Sequence, residues 1–156
     1  MAKLFPDSYP TESMAEAIND SKKIVGYKPS AYFSMETGDF VRNGQNKVQE
    51  ATGYEAWEQW CQKCIMTERY KHFAYSTDYG IELDQVFAAE SREEAENILT
   101  RQITEALEAD PYGRTKNVAN IEYEWDNQTG VNVYVTVIGI DHATLDMTVY
   151  LKMGER

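Results

Sequence analysis

Thr52 to Gly80, with the sequence TGYEAWEQWCQKCIMTERYKHFAYSTDYG, is the stretch that decides the fold of this chain. Thr52, followed three residues later by Glu55, has the form of a capping box at a helix start. The next apolar residues recur at the three- and four-residue spacing of one helical face: Trp57, Trp60, Cys61, Cys64 and Ile65. Because two tryptophans on one face bury a large apolar area, we predict that the core forms around this helix.

The second half of this stretch is rich in aromatic side chains. Four of them lie between the end of the helix and Gly80: Tyr70, Phe73, Tyr75 and Tyr79. Aromatic residues favour strands, and a glycine often interrupts one. We therefore predict that the helix leads through Glu68-Arg69 into a short aromatic strand that ends at Asp78-Tyr79-Gly80.

Downstream of Gly80, a short turn or helix over residues 81–87 is followed by a second long helix. Ser91 and Glu94 form another capping box. Apolar residues then occupy one helical face: Ala95, Ile98, Leu99, Ile103, Ala106 and Leu107. Asp110-Pro111-Tyr112-Gly113 carries the Pro and Gly signals that end a helix.

The last third of the chain alternates between apolar and polar residues in three runs. The apolar members are Ile121, Tyr123 and Trp125, then Val131, Val133, Val135 and Val137, then Leu145, Met147, Val149 and Leu151. With Asn127-Gln128-Thr129-Gly130 as a turn, this pattern predicts an antiparallel meander with one face against the helices. Near the start of the domain, Gly38 lies between two short apolar runs and predicts a hairpin.

These elements predict a small α/β domain of the α+β type, with two layers. A mixed or antiparallel sheet packs against two main helices, and the domain that they form spans residues 31–156. Residues 1–30 hold three of the four prolines and few large apolar side chains. We interpret this segment as an N-terminal arm that packs on a neighbour or on the domain surface, although a mobile terminus has the same composition.

Length and charge narrow the class of protein. The chain has 156 residues, enough for one domain with a core, and a net charge of −11. Such an acidic chain is a poor candidate for binding nucleic acid or an anionic membrane. The sequence contains neither an apolar run of transmembrane length nor a recognisable signal peptide. We therefore expect synthesis in the cytoplasm.

The candidates for chemistry are few. Cys61 and Cys64 form a CxxC, which fits a redox pair, half a zinc site, or two small apolar residues on a buried helical face. The two histidines, His72 and His142, are far apart in sequence, and the chain has no nucleophile elbow or phosphate loop. We predict no catalytic residue, no metal and no cofactor.

The order of three short motifs resembles a known family. These motifs are Thr52-Gly53-Tyr54-Glu55-Ala56, Thr67-Glu68-Arg69-Tyr70 and Tyr75-Ser76-Thr77-Asp78-Tyr79-Gly80. Together they resemble the contractile-tail baseplate wedge, or sheath initiator, family, historically labelled tail lysozyme-like. The closer similarity is to members from Gram-positive prophages and tail-like bacteriocin particles, and it covers about residues 31–153.

The resemblance implies a fold similar to the C-terminal domain of the tail sheath subunit. It also implies a structural role in the virion tail baseplate, where the protein templates the first sheath ring by strand augmentation. Expected partners are the tail sheath subunit, other wedge subunits and the central hub or tube, with six copies per particle. Candidate subunit-interface residues are Glu68, Arg69, Asp78, Tyr79, Val149 and Leu151.

Two further hypotheses concern Glu68-Arg69 and the historical label. Arg69 pairs with a carboxylate of a neighbouring subunit or within the turn, or the two residues form a solvated pair of little energetic value. A tail-associated peptidoglycan hydrolase would need two nearby carboxylates, one with a raised pKa, and Glu68 and Asp78 flank one predicted strand. A third reading is an acidic adaptor protein unrelated to tails.

Overall fold

The computed structural model describes residues 27–126 and 130–152. The elements, in chain order, are β1 (Ser30–Ala31), β2 (Phe33–Ser34), β3 (Asp39–Phe40), β4 (Glu50–Ala51), α1 (Gly53–Met66), α2 (Leu83–Phe87), α3 (Arg92–Glu108), β5 (Thr115–Trp125), β6 (Gly130–Gly139) and β7 (Thr144–Lys152). This is the α+β architecture predicted from the sequence.

The main sheet has three antiparallel strands in the order β5-β6-β7. Strands β6 and β7 pair without interruption from Gly130↔Lys152 to Ile138↔Thr144. The apolar residues of the alternating runs in these two strands all point to one face and are buried: Val131, Val133, Val135, Val137, Leu145, Met147, Val149 and Leu151. The meander predicted from the period of two is therefore confirmed.

Helices α1 and α3 cover the apolar face of this sheet, α1 over β7 and α3 over β5. Trp57 is fully buried, and its indole Nε1 donates a hydrogen bond to Thr115 Oγ1 at 3.0 Å. Trp60, at the margin, is only partly buried. The core thus forms around α1, as the two tryptophans indicated, because α1 contacts both the sheet and α3.

A second buried link joins the end of α3 to the start of β5. The Asp110 carboxylate accepts hydrogen bonds from Arg114 Nε at 2.7 Å and Nη2 at 3.0 Å, and both side chains are almost fully buried. The Arg114 guanidinium also lies over the rings of Trp60 and Tyr112. A bidentate pair of this kind has its charges and hydrogen bonds satisfied, which makes its burial tolerable.

Residues 30–51 form two small satellite sheets, β1 with β4 and β2 with β3. The predicted hairpin is present: Phe33 pairs with Phe40, and Gly38 adopts φ +69°. Ahead of these strands, Tyr27 packs on Trp57 with ring centroids 5.2 Å apart, and its hydroxyl donates to the Asp141 carboxylate. The rest of the predicted arm, residues 1–26, lies outside the described residues, as does the predicted turn at 127–129.

The two predicted capping boxes differ in the structure. Ser91 Oγ accepts from the Glu94 backbone N–H at 3.1 Å, so α3 is capped by its side chain as expected. Thr52 also precedes its helix, but its side chain makes no cap. Its carbonyl accepts the Glu55 N–H at 3.0 Å instead.

The predicted aromatic strand between Arg69 and Asp78 is wrong. The segment is a series of turns, and Tyr70 adopts φ +68°. Only the two ends of the segment pair, through a single parallel bridge between Glu68 and Ile81. A strand needs a partner along its length, and here the chain closes on itself instead.

Candidate subunit interface

The Thr67–Gly80 loop leaves α1 and returns to the domain through a narrow neck. Arg69 N–H donates to the Ile81 carbonyl at 3.0 Å, and Ile81 N–H donates to the Thr67 carbonyl at 2.9 Å. Gly80, at the neck, adopts φ +92°. These contacts close a 14-residue loop at the carboxyl end of α1, since residues 67–80 lie between its two anchoring bonds.

The buried side chain of Arg69 stabilises this neck. Its Nε donates to the Gly80 carbonyl at 2.9 Å, and its side chain is only 10% exposed. Nη1 lies 3.9 Å from Glu105 of α3, while Nη2 is buried and has no hydrogen-bond partner among the described residues. The guanidinium therefore bonds within the turn, which is one of the alternatives that the sequence left open for Arg69.

Glu68 is half exposed and pairs with Lys71, with 2.5 Å between Oε2 and Nζ. A glycosidase acid needs an apolar surrounding that raises its pKa. The Glu68 carboxylate instead lies at the surface beside the Lys71 ammonium. This geometry gives no support to Glu68 as the acid of a hydrolase.

Asp78 and Tyr79 lie at the far end of the loop. The Tyr79 ring packs on Trp60 at 5.8 Å and stacks on Tyr75 at 4.5 Å between centroids. Burial raises the pKa of the Tyr79 hydroxyl well above its usual range. Tyr79 therefore anchors the loop on α1, and Asp78 lines the groove beside it.

Cys61 and Cys64 are both free and fully buried on α1. Burial raises the pKa of the Cys64 thiol to about 11 and that of Cys61 even further. Cys64 Sγ donates to the Ala106 carbonyl at 3.6 Å. A buried thiol that stays protonated at neutral pH is a poor nucleophile, so the core interpretation of the CxxC is the one that the structure supports.

Val149 and Leu151, the other two candidates, lie on β7 and point into the core, each 3% exposed. They are not in the Thr67–Gly80 loop, so the six candidates fall on two separate elements. What β7 offers to a partner is its backbone edge, because it is the last strand in the order β5-β6-β7.

The register shows which β7 backbone groups face outward. Gly139 N–H donates to the Ala143 carbonyl, so 139 and 143 are a hydrogen-bonded pair, and every second residue of β7 from Leu145 also bonds to β6. The intervening residues direct their N–H and C=O away from the sheet. At the start of the strand, the Thr144 carbonyl does so and accepts the Tyr54 hydroxyl at 2.8 Å.

Further along β7, the outward backbone groups include those of Asp146 and Thr148, both exposed. No group in the described part of the chain bonds to these backbone atoms. Neither residue is among the predicted interface candidates, because the candidates on β7 are apolar. The alternation does contain a signal for them. Where the apolar positions of an edge strand bond to the neighbouring strand, its polar positions direct their backbone groups outward.

The opposite edge of the sheet, on β5, is irregular. Its pairing with β6 shifts twice, between Thr115 and Asn117 and between Val118 and Asn120. Bulges of this kind twist an edge and discourage the addition of another strand. Strand β7, by contrast, has an uninterrupted register, so it is the regular edge of this sheet.

Residues 27–126 and 130–152 contain no group of three or more His, Cys, Asp or Glu side chains arranged to hold a metal ion. None of the helices described there is long and apolar enough to span a membrane.

Comparison with known proteins identifies the family. The family model described as contractile injection system sheath initiator matches residues 31–142, well over half of the chain. No curated protein matches significantly. The match confirms the resemblance inferred from the three loop and helix motifs, and it implies a structural role at the sheath and baseplate of a contractile tail. The chain belongs to the family of contractile injection system sheath initiators.

Proposed function

We propose that this protein is a baseplate wedge subunit that links the inner baseplate to the first sheath ring. It receives a strand of the tail sheath subunit along the edge of β7 at Asp146 and Thr148 and so templates sheath assembly. The observation that carries this proposal is the regular, outward-facing backbone of Asp146 and Thr148. Family membership supports the link to the sheath.

Strand addition suits this edge for a physical reason. An incoming strand pairs with backbone N–H and C=O groups, so affinity does not depend on one particular side chain. The buried side chains of Val149 and Leu151 hold β7 on the core while its other side is engaged. We assign these two residues an indirect role: they keep the edge straight and in register.

A position between the inner baseplate and the first sheath ring also implies the remaining partners. Other wedge subunits and the central hub or tube would contact surfaces other than β7, and six copies would complete one ring. The net charge of −11 calls for basic patches on these partners, and such complementarity mainly sets orientation and the rate of association. We expect the isolated subunit to be a monomer.

A point substitution tests the edge without removing core residues. Thr148→Pro removes one outward N–H, and the ring blocks an incoming strand, while edge strands tolerate proline at such positions. The matched control, Thr148→Val, keeps the backbone donor. Each variant is co-purified with the sheath subunit encoded beside this gene, and circular dichroism checks that its fold is retained.

We expect Thr148→Val to retain the sheath complex and Thr148→Pro to weaken it roughly tenfold or more. The missing N–H and the blocking proline ring together remove about two backbone hydrogen bonds to the incoming strand. If a folded Thr148→Pro variant binds sheath as well as the wild type does, β7 is not the acceptor edge. If the wild type binds no sheath subunit either alone or in assembled baseplates, the proposed role itself is wrong.

A further inference from the structure

A groove lies under the Thr67–Gly80 loop, at the carboxyl end of α1 and beside the end of α3. It has a volume of about 370 Å³. Its lining is mainly aromatic and apolar: Trp60, Tyr75, Tyr79, Ala106, Ala109 and Pro111. The groove lies on different elements from the β7 edge, so the sheath-binding proposal does not use it.

One cation lines this groove, and it has no acidic partner. Lys63 Nζ lies 3.9 Å from the centroid of the Phe33 ring and 5.6 Å from that of Phe40. Partial burial lowers the pKa of Lys63. Over the described residues no carboxylate lies within ion-pair distance of its ammonium, and this includes Asp78 in the same lining. A partly desolvated cation without a counter-ion is stabilised by an incoming carboxylate.

The loop above the groove exposes large aromatic side chains. Phe73 is fully exposed, Tyr70 is 64% exposed and Tyr75 is 50% exposed. Adjacent exposed aromatic residues of this size are typical of contact surfaces, where they supply buried area at low cost in side-chain entropy. Of the three, Tyr75 lines the groove, so a partner that enters it contacts an exposed ring of the loop.

Charge selects the kind of partner. The loop itself has two acidic residues, Glu68 and Asp78, and two basic residues, Arg69 and Lys71, so its formal charge is zero. The whole chain has a net charge of −11. Most of this surface therefore repels an acidic segment, whereas the groove offers the Lys63 cation beside the carboxylate of Asp78.

We propose that this groove is a second docking site, which accepts a segment of a neighbouring protein subunit that carries a carboxylate flanked by apolar side chains. The carboxylate pairs with Lys63, and the apolar side chains pack on Trp60, Tyr75 and the exposed rings of the loop. The site would hold a wedge or hub partner at the same time as β7 holds the sheath.

Short peptides test this proposal directly. The probes are acetylated, amidated pentapeptides of the sequence Gly-Leu-Glu-Leu-Gly and its Gln and Lys counterparts. Each is titrated into the full-length isotope-labelled protein, up to about 10 mM because single short segments bind weakly. The readout is the indole N–H resonance of Trp60, identified by its loss in Trp60→Phe.

We expect the Glu peptide to shift the Trp60 resonance and to bind roughly two- to fivefold more tightly than the Gln peptide, the range of an exposed ion pair. Lys63→Met should abolish this preference, and Lys63→Arg should keep it. Lys47→Met, a matched control on an exposed residue of the hairpin region, should leave the preference unchanged.

Equal binding of the Glu and Gln peptides, a preference that survives in Lys63→Met, or no shift of Trp60 would each overturn the proposal. The result is independent of the sheath assay. Thr148→Pro should retain the Glu preference even though it loses the sheath, and failure of one proposal therefore leaves the other intact.

Discussion

At the scale of single residues, Gly80 has little freedom to change. Its φ of +92° is one that L side chains rarely adopt. A Cβ built there would lie 2.5 Å from the Thr67 carbonyl oxygen and 3.0 Å from the Arg69 nitrogen. Both atoms belong to the backbone of the loop neck, so neither can rotate out of the way.

We therefore expect Gly80→Ala to lower the free energy of unfolding by about 2–4 kcal/mol, through backbone strain and disruption of the neck. Urea denaturation followed by circular dichroism measures this. Gly44→Ala is the matched control, because a Cβ at Gly44 meets nothing within 4 Å; its effect should stay within about 0.5 kcal/mol. Similar stability of the two variants would show that the neck does not constrain Gly80.

Only some of these residue-level features could be predicted from the sequence. Gly38 predicts a hairpin because such turns have a local signature, and the structure confirms the hairpin, with Gly38 at positive φ. Gly80 was predicted only to end a strand. Its actual role depends on Thr67 and Arg69 lying opposite, a tertiary contact that no local pattern reports.

At the scale of elements, prediction succeeded where the pattern and its environment agree. The helix of residues 53–66 is real because its apolar face has a sheet and a helix to pack against. The predicted strand over Tyr70 to Tyr79 failed although its residues favour strands. β propensity reports how well a side chain fits a sheet surface, and here no neighbouring strand provides one.

The burial of the α1 cysteines leads to a prediction about their reactivity. In the native protein at pH 8, Cys61 and Cys64 should react with a thiol reagent to less than about 10% in an hour, because burial keeps them protonated and inaccessible. In denaturant, both thiols of the chain should react promptly. Fast labelling of the native protein, with its fold intact by circular dichroism, would contradict the assignment of this pair to the core.

At the scale of the whole molecule, one apolar core joins α1, α3 and the three-stranded sheet. The satellite sheets of residues 30–51 have two residues per strand and are mostly exposed. The sequence predicted the two layers and the meander, since short turns leave few alternatives. It did not show which edge of the sheet is regular, because the register shifts belong to the pairing of β5 with β6 and not to a local residue pattern.

This division predicts two levels of protection against hydrogen exchange. The β6 amides from Val131 to Val137 should exchange only through global unfolding, since that strand is paired on both sides. The paired amides of residues 32–49 should exchange at least about 100-fold faster, through local opening. Mass spectrometry of exchanged fragments measures both; equal protection would mean that the satellite sheets unfold only together with the core.

The alternation along β7 divides the evolutionary constraints on that strand into two sets. Substitutions in one set change the packing of the core: Leu145, Met147, Val149 and Leu151. Substitutions at Asp146 and Thr148 change the exposed face of the sheet and leave the core intact. Substitutions at the exposed positions can thus change the surface of this subunit while its core, and therefore its folding, stays the same.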